Sequence, residues 1–331
     1  MNASRRRTPR CCSSSRMSEL MSKQGDRFDS QELFDTLVAH GHIVPVGVQG
    51  AFGRGAQFED VLERFNDLVS DIARDDGAET RAFPPIVNRK VIEKNNYMES
   101  FPHLCGTVFS FFGKELQARE LAQKAASGEP WGEYLGITDV CLTPAICYPL
   151  YPTLKGVLPK GGRLFSMLGW AYRHEPSAEP TRMQSFRMRE FIRAGSAGEV
   201  VEWRDMWLER GLKLLRSLGL EASSDVASDP FFGRGGKMMA ANQKEQRLKF
   251  EVLIPVISRE NPTACCSFNF HQDHFGSKWD IRTSDGAVAN TACLGFGLER
   301  IVMALFKTHG MEIARWPADV RRLLWPVRPL A

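Results

Sequence analysis

Residues 164–191 read LFSMLGWAYRHEPSAEPTRMQSFRMREF, and this stretch decides the fold. Two apolar-rich runs with strand character flank a polar, proline-marked segment at 176–182, which predicts an antiparallel hairpin with a long loop. Alternation along a strand sorts the charged and aromatic residues onto shared faces, namely Arg173 and Glu175 on the first strand and Phe186, Met188 and Glu190 on the second. Such a set could hold a nucleoside triphosphate, and a surface hairpin with solvated charges explains the same residues equally well.

The chain has 331 residues, enough for one large domain or two ordinary ones. No apolar run approaches the length that crosses a bilayer, so we expect no membrane span. The net charge is +4, but five arginines (Arg5, Arg6, Arg7, Arg10 and Arg16) precede the first acidic residue, and without them the remainder carries −1. The body of the chain therefore has no overall electrostatic attraction for nucleic acid.

Residues 1–26 are rich in Arg and Ser and lack the apolar core of a signal peptide. We expect this segment to be disordered or a mis-called extension, with Met17 and Met21 as alternative starts, and residues 27–331 to form one catalytic domain. The eight cysteines, without an export signal, predict a cytoplasmic protein with free or metal-bound thiols.

Several segments before the hairpin have a clear pattern. The predictions are a short helix at 29–44 that turns at Gly41, a linker at 50–55, an amphipathic helix from Phe58 that Gly77 ends, an extended piece at 83–87, a helix at 114–126, a strand at 136–142 and a proline-rich strand end at 142–152.

After the hairpin the chain alternates strands with long helices. The predictions are a helix at 199–218 that stops at Gly219, a small insert at 220–247, strands at 249–258 and 264–270, a continuation of the sheet at 279–282 and a helix at 301–307. Mostly antiparallel strands interrupted by long helices predict an α+β fold rather than a doubly wound parallel sheet.

The run GFGLER at 295–300 places two glycines where the backbone approaches something closely, and it puts Arg300 at the start of a helix. Together with the hairpin, this run resembles motifs 2 and 3 of the class II aminoacyl-tRNA synthetases. Four further segments, CYPLYP, DPFFGRGGKMMAANQ, SFNFHQDHF and ACLGFGLER, resemble the sequences of a narrower group, the bacterial amino acid:[carrier protein] ligases. These ligases are related to the zinc-dependent seryl-tRNA synthetases of methanogens. The resemblance covers about residues 58–310.

The resemblance implies a class II synthetase-like antiparallel sheet flanked by helices, a homodimer, and bound ATP with Mg²⁺. Carried onto this chain, the ATP-binding residues are Arg173 on the α-phosphate and the attacking carboxylate, Glu175 on the adenosine side, Arg182 on the outer phosphates, Met183, Phe186 stacked on adenine, Ser267, and Arg300 on the other face of adenine and the γ-phosphate. Guanidinium groups suit these roles because they offer fixed forks of donors and flat faces. Arg173 and Arg300 are the expected catalytic residues, since adenylation builds negative charge at phosphorus.

The resemblance also implies one Zn²⁺ per subunit, held by Cys147, Glu190 and Cys293. No local ligand spacing announces such a site. Three protein ligands would leave a fourth position for the neutral α-amino group of the substrate, beside Glu190.

Other residues have competing explanations. His271, Asp273 and His274 look like metal ligands, but a hydrogen-bonded sheet edge is the better interpretation. Cys265 and Cys266 alternate faces on a strand, so at least one should pack in the core, and no acidic residue near Ser267 supplies an Mg²⁺ ligand. Lys249 and Glu251 share a strand face and are candidates for substrate binding.

The expected function is ATP-dependent activation of glycine or alanine as the aminoacyl-adenylate, followed by transfer to the phosphopantetheine thiol of an acidic acyl or peptidyl carrier protein. The insert at 220–247 offers cations and large apolar residues for docking such a carrier, and a lid or plain packing explains it equally well. We expect no tRNA acceptor, because no stretch outside the core suggests an anticodon module and the body charge is close to neutral. The alternatives are a minimal seryl-type tRNA synthetase and a catalytically silent regulatory paralogue.

Overall fold

The computed structural model describes residues 30–326, and the predicted extension at 1–26 lies outside the described residues. The helices, in chain order, are α1 (30–39), α2 (Ala56–Ile72), α3 (Arg89–Lys94), α4 (Tyr97–Ser100), α5 (Glu115–Ser127), α6 (Ala197–Ser217), α7 (Gly233–Glu245), α8 (His274–Trp279), α9 (Leu298–His309) and α10 (Ala318–Leu324). The strands are β1 (Ile43–Val48), β2 (Ala51–Arg54), β3 (Glu79–Arg81), β4 (Ile86–Asn88), β5 (Thr107–Phe111), β6 (Leu135–Leu142), β7 (Gly156–Val157), β8 (Arg163–Tyr172), β9 (Ser185–Gly195), β10 (Ser223–Val226), β11 (Lys249–Ile254), β12 (Thr263–Gln272), β13 (Ile281–Arg282) and β14 (Asn290–Gly297).

A seven-stranded sheet organises the chain, in the order β10-β11-β12-β14-β9-β8-β3. Its neighbouring strands run antiparallel except β3 and β8, which run parallel. Long helices accompany this sheet, so the α+β prediction is confirmed.

Helices α2, α6 and α9 pack on one face of the sheet and form the main apolar core. Helix α6 begins with a reciprocal cap, in which the Ser196 N–H donates to the Glu199 carboxylate at 2.9 Å and the Ser196 hydroxyl accepts from the Glu199 N–H at 3.5 Å. Within α6, Gly211 allows close approach to the sheet, because a Cβ there would lie 3.0 Å from the Phe268 ring. Phe191 on β9 stacks on Trp207 of α6 with ring centroids 5.0 Å apart.

The predicted hairpin is confirmed, since β8 and β9 pair antiparallel over their whole length. Phe186, Met188 and Glu190 alternate along β9 as expected. The prediction that Arg173 and Glu175 share a strand face was wrong. Strand β8 ends at Tyr172, and the Glu175 N–H donates to the Arg173 carbonyl at 2.7 Å, so this pair lies in a turn where strand alternation does not apply.

The linker predicted at 50–55 was also wrong, because β2 pairs with β1 in a hairpin there. The tip of this hairpin lies against the β8–β9 loop, where the Gly50 carbonyl accepts from the Gln184 N–H at 2.7 Å. The Gln184 side chain donates to the Gln49 carbonyl at 2.8 Å. These contacts with a distant segment explain why the glycine-rich run is ordered.

Other boundaries differ from the predictions. The first helix is described over 30–39 only, α2 ends at Ile72, and Gly77, at φ +68°, ends the 3-10 turn that follows it. Trp279 ends α8, and β13 pairs with β7 in a separate two-stranded sheet, so 279–282 does not continue the main sheet. Helices α5, α6 and α9 lie where helices were predicted.

The stretch predicted as an insert at 220–247 contributes β10, the edge strand of the main sheet. Leu220 and Ala222 are buried in the main core. The part outside the sheet is therefore shorter, and we call residues 227–248, with helix α7, the α7 segment.

Strands β4, β6 and β5 form a three-stranded sheet that has its own small apolar cluster. This part of the chain contacts the β8–β9 loop, where the His174 N–H donates to the Leu104 carbonyl at 3.0 Å. Across the described residues, no helix is both long enough and apolar enough to span a membrane.

Candidate active site

The face of the main sheet opposite α6 collects polar side chains from four adjacent strands. Cross-strand partners point to the same face. The register therefore aligns one row of Glu251, Ser267, Gly295 and Glu190, and a neighbouring row of Lys249, Asn269 and Cys293. We call this surface the polar face.

Gly295 lies in the middle of the polar face. A Cβ at this position would lie 2.5 Å from Cε of Met188 and 3.4 Å from Cγ of Glu190. The predicted close approach at this glycine is confirmed, and the absence of a side chain leaves room for the Met188 side chain.

The structure brings Cys147, Glu190 and Cys293 together on this face, although they come from three separate segments. Each side chain is buried, with 4, 4 and 7% of the residue exposed. Cys147 is hydrogen-bonded to both Cys293 and Glu190. Asn269 donates a further hydrogen bond to the Cys293 sulfur at 3.4 Å.

The pKa values of the three acidic groups in this cluster are shifted in different directions. The hydrogen bond from Cys147, with the nearby His271, holds the pKa of the Cys293 thiol well below its usual range. The same bond, together with burial, holds the pKa of Cys147 well above its usual range. Burial, followed by the negative charge of Cys293, raises the pKa of Glu190 to about 8. The cluster thus brings three groups that can become negatively charged together in a buried place, which favours binding of a cation.

The donor set fits Zn²⁺, which takes thiolate, imidazole and carboxylate ligands. Oε2 of Glu190 is buried and has no hydrogen-bond partner, so one ligand atom is available. The side chains meet through hydrogen bonds, however, and the described part of the chain contains no group of three or more His, Cys, Asp and Glu residues already arranged to hold a metal ion. Metal binding would have to replace the hydrogen bonds of Cys147.

His271, Asp273 and His274 do not form a second cluster. His271 lies in β12, where Nδ1 contacts Oγ1 of Thr291 at 3.0 Å and Nε2 contacts the Cys293 sulfur at 3.3 Å. Asp273 accepts from the Ser277 hydroxyl at 3.1 Å, and His274 is the first residue of α8. Of the three residues, His271 alone contacts Cys293 in the structure, and nothing in the spacing of the sequence indicated that contact.

Arg173 and Phe186 lie beside each other at the loop end of the hairpin. The Arg173 guanidinium is 5.6 Å from the centre of the Phe186 ring. Its Nε donates to the Pro144 carbonyl at 3.2 Å, which ties the arginine to the segment that carries Cys147. The flat cation and the ring therefore meet next to the metal-ligand candidates.

Arg300 bridges the β8–β9 loop and β12. Its Nε donates to the Thr181 carbonyl at 2.8 Å, and its Nη1 donates to the Ala264 carbonyl at 2.7 Å. Burial lowers the pKa of Arg300, and the positive charges of Arg173 and Arg182 lower it further. The three arginines are thus close enough to interact, which suits a polyphosphate.

The remaining predicted nucleotide residues lie in different surroundings. Arg182 is exposed and forms an ion pair with Glu179 at 3.2 Å. Ser267 lies on the polar face and accepts from Asn269 at 3.4 Å. Met183 is 4% exposed, and its side chain lies in the main apolar core rather than on the polar face. Glu175 lies in the turn after β8 and acts electrostatically on Arg300.

Lys249 and Glu251 share the polar face as predicted, with 3.0 Å between Nζ and Oε1. Lys249 also forms an ion pair with Asp229 at 2.7 Å. Burial opposes the charge of Asp229, but the positive charge of Lys249 and the hydrogen bonds from Gln243 and Lys249 together outweigh burial and lower the pKa of this carboxyl. Asp229 was not identified from the sequence, because nothing in the pattern pairs it with a strand across the sheet.

A second network behind the hairpin was also missed. Glu299, which precedes Arg300, is fully buried and binds Arg187 and Arg54. Arg187 continues to Glu59 of α2 at 2.6 Å. Glu299 was visible in the GFGLER run, but its partners are distant in sequence and carry no local signal.

Both cysteines of the vicinal pair are buried, Cys265 at 2% and Cys266 at 3% exposure, so the prediction of core packing is confirmed. Both belong to the main apolar core, and burial raises the pKa of Cys265 to about 12.

Comparison with curated proteins places the chain close to two ligases from Bradyrhizobium diazoefficiens. It is 43% identical over 281 residues to "amino acid–[acyl-carrier-protein] ligase 1", covering 84% of this chain and 86% of that protein. It is 45% identical to ligase 2 of the same organism, covering 84% of each chain. A type-2 serine–tRNA ligase from Methanopyrus kandleri is 27% identical and matches 80% of this chain, but only 54% of the tRNA ligase. No family model matches the chain.

The solved structures with similar folds are class II synthetases. M. kandleri seryl-tRNA synthetase, solved with A. aeolicus tRNASec, has a TM-score of 0.75 at 21% identity and covers 88% of this chain and 60% of its own. Pyrococcus horikoshii seryl-tRNA synthetase, solved with ATP, has a TM-score of 0.62 at 14% identity and covers 84% of this chain and 58% of its own. At these identities the likeness establishes the fold, and the predicted class II synthetase-like architecture is confirmed.

Proposed function

The chain belongs to the amino acid–[acyl-carrier-protein] ligases, and from that premise we propose that it activates glycine or alanine with ATP and loads the aminoacyl group onto an acidic carrier protein. In the first step a carboxylate oxygen of the amino acid bonds to the α-phosphorus of ATP, and pyrophosphate leaves. In the second step the phosphopantetheine thiol of the carrier loses its proton and its sulfur attacks the carbonyl carbon of the adenylate, which forms a thioester and releases AMP.

The observation that carries this proposal is the convergence of three arginines and a ring on one edge of the polar face. Arg173 and Arg182 both act electrostatically on Arg300, and Arg173 lies over Phe186. Fixed cations at this place offset the negative charge that builds at the α-phosphorus and on the leaving pyrophosphate. The Phe186 ring offers a flat surface for adenine, and Mg²⁺ accompanies the polyphosphate.

For the amino acid, we assign Cys147, Glu190 and Cys293 as ligands of one Zn²⁺. When bound, the metal supplies a Lewis-acidic position for a neutral α-amino group. The residues around it restrict the substrate. Met188 and Glu190 crowd the space above Gly295, which supports a small amino acid such as glycine or alanine over a larger one.

For the carrier, we assign the exposed side of the α7 segment as the docking surface. Phe232, Met238 and Met239 are 59, 76 and 47% exposed, although they are apolar. Basic residues stand among them, namely Arg234, Lys237 and Lys244. An acidic carrier complements this combination, because the cations steer its approach and the apolar side chains provide contact area.

We further propose that the protein acts as a homodimer in the cytoplasm. Strand β1 pairs with β2 on one side, and within residues 30–326 no strand pairs with its other side. Val44, Val46 and Val48 on this strand are 49, 55 and 55% exposed, and an exposed apolar edge strand favours pairing with a second copy. The cysteines at 105, 141, 147, 265, 266 and 293 are all free, in keeping with a reducing compartment.

A seryl-type tRNA ligase is the second candidate, because type-2 serine–tRNA ligases are also similar to this chain. The body of the chain lacks the basic charge that tRNA binding favours. A catalytically silent paralogue is a third alternative, although it would have little need of the two buried cysteines and the converging arginines.

One competition experiment separates these functions. The full chain is incubated with ATP, Mg²⁺ and labelled glycine, alanine or serine, and phosphopantetheinylated carrier and bulk tRNA are both present. We expect label from glycine or alanine on the carrier. Label on tRNA would establish the second candidate. If neither acceptor is labelled, ATP–pyrophosphate exchange is measured with each of the standard amino acids, and absence of exchange with all of them would establish a silent paralogue.

A further inference from the structure

A chain of polar contacts links helix α7 to the polar face. Gln243 of α7 donates from Nε2 to Oδ2 of Asp229 at 2.8 Å, and its Oε1 accepts from the Asp229 N–H at 2.7 Å. Oδ1 of Asp229 then accepts from Nζ of Lys249 at 2.7 Å. The helix is thereby connected through one carboxylate to the strand beside the amino-acid site.

Lys249 occupies a defined place at the end of this chain. It pairs across the sheet with Asn269, and Asn269 pairs with Cys293, so the three lie in one row of the polar face. The Lys249 side chain is only 10% exposed. Its ammonium group has three donors, of which Asp229 and Glu251 take two.

Each end of this connection is held by two polar contacts. A buried ammonium group is costly without its carboxylate partners, so Lys249 restrains Asp229 strongly. Gln243 binds both the main chain and the side chain of Asp229, which fixes the helix in direction as well as in distance.

We propose that Asp229 is a positioning residue for the transfer step, which holds helix α7 on Lys249 so that a carrier docked on the helix presents its thiol to the adenylate. This inference rests on the proposed function, because it takes α7 as the docking surface. Asp229 does not touch the reacting atoms in this role. It sets where the carrier lies, and the adenylation step does not depend on it.

Two variants break the connection at different bonds. Gln243→Met removes the link on the side of the helix and leaves the ion pair of Asp229 with Lys249. Asp229→Asn keeps the size of the side chain and removes its charge. Gln246→Met is the matched control, because Gln246 also ties the end of α7 to the sheet, through a 2.9 Å hydrogen bond from Gln272, but does not contact Asp229.

Each protein is measured as the full chain in three assays: ATP–pyrophosphate exchange, transfer to holo-carrier, and transfer to free pantetheine. We expect Gln243→Met and Asp229→Asn to lower kcat for the holo-carrier by about tenfold, with KM for the carrier within about twofold of wild type. Pyrophosphate exchange and transfer to free pantetheine should stay within about twofold in Gln243→Met, because neither reaction uses the helix and this variant keeps the ion pair of Asp229 with Lys249. Gln246→Met should match wild type in all three assays.

Four results would overturn the inference. An equal loss of pyrophosphate exchange would make Asp229 merely structural, an equal loss with free pantetheine would place it in the chemistry, and an equal effect of Gln246→Met would implicate the stability of α7 in general. Wild type that adenylates an amino acid but loads no carrier would instead refute the proposed function. Variants that load the carrier as wild type does would refute the positioning role alone.

Discussion

The carboxylate of Glu299 accepts a hydrogen bond from the backbone N–H of Arg187 at 2.8 Å and a second from its guanidinium Nε at 3.0 Å. Glu299 directly precedes Arg300 on α9, and Arg187 directly follows Phe186 on β9. The pair therefore fixes two nucleotide-binding candidates relative to each other. It does so from the buried side of the sheet, where Glu299 is fully shielded from water.

Removing the charge of Glu299 should destabilise the fold. Glu299→Gln leaves the guanidinium of Arg187 and that of Arg54 short of a buried partner, and breaking a buried pair in this way costs about 3–5 kcal/mol. Denaturant unfolding measures the change. Glu115→Gln is the control, because Glu115 is 80% exposed in its pair with Arg119 and should lose less than about 1 kcal/mol. Equal losses in the two variants would show that the buried network contributes no more to the free energy of unfolding than an exposed ion pair does.

Zinc content should depend on the two cysteines of the polar face and not on cysteines elsewhere. Cys147→Ala and Cys293→Ala should each abolish zinc retention after purification and, with it, adenylation. Cys265→Ala, in a strand of the same sheet and equally buried, should retain the metal. Metal analysis of the purified proteins measures the zinc content. Normal zinc in the first two variants would refute the assignment of Cys147 and Cys293 as ligands.

Arg300 should be needed for ATP use and not for metal binding. Arg300→Ala removes a preplaced cation, and losses of this kind are about 10²–10³-fold in rate. Arg300→Lys keeps the charge but not the fork that binds the Thr181 and Ala264 carbonyls, so it should recover only part of the activity. Arg322→Ala on the exposed side of α10 should adenylate as wild type does. Unchanged pyrophosphate exchange in Arg300→Ala would exclude this residue from the site.

The apolar residues of the α7 segment should determine carrier affinity. Met238→Asp adds a charge that repels an acidic carrier and removes contact area, so KM for the carrier should rise by about tenfold while KM for ATP stays constant. Phe112→Asp is a matched control, because Phe112 is 69% exposed on a different part of the chain. A comparable rise in the control variant would mean that carrier docking is not confined to α7.

Stability should fall in mildly acidic solution because of His42. This residue is buried, stacks on Phe306 with ring centroids 4.0 Å apart, and donates from Nε2 to the Met311 carbonyl at 3.0 Å. Burial lowers the pKa of His42 below its ordinary 6.5, and the positive charge of His40 acts in the same direction. The unfolded chain then takes up a proton at a higher pH than the folded one, so this contribution is complete above about pH 6.5 and is lost as pH falls toward the folded-state pKa.

The check is a comparison of unfolding free energies at pH 7.5 and pH 5.5 for wild type and His42→Gln. The glutamine can still donate to the carbonyl but does not titrate, so the variant should lose less stability between the two pH values. An identical pH dependence of both proteins would mean that other groups cause the loss.

Local sequence patterns were sufficient to predict the elements in which the apolar residues repeat regularly over many positions. Helix α6 has an apolar stripe and a capping box, and the β8–β9 hairpin has two alternating runs around a marked loop, so both could be predicted. The β1–β2 hairpin could not, because its order depends on contacts with Gln184 far along the chain. The short run at 279–282 fits either a helix end or a strand, and only the tertiary contacts decide.

Local patterns did not identify the residues of the candidate metal site. Cys147, Glu190 and Cys293 were identified through the family resemblance, and the register of β9 with β14 explains why Glu190 and Cys293 share a face. The partners that hold the site residues in place, Asp229 and Glu299, were missed. Charge complementarity across the sheet depends on which strands are neighbours, and no local sequence pattern gives the order of the strands.

The α7 segment leaves and rejoins the sheet at one point. Strands β10 and β11 are antiparallel neighbours, and the Ala227 N–H donates to the Lys249 carbonyl at 3.0 Å, so the two ends of the segment already touch. In topological terms the whole segment is the loop of an edge hairpin. Its exchange for a shorter or longer loop would leave unbroken the two strands that carry Glu190 and Cys293 and the helix that carries Arg300, so the surface that we assign to carrier docking can diverge in evolution, or be engineered, without interrupting these elements.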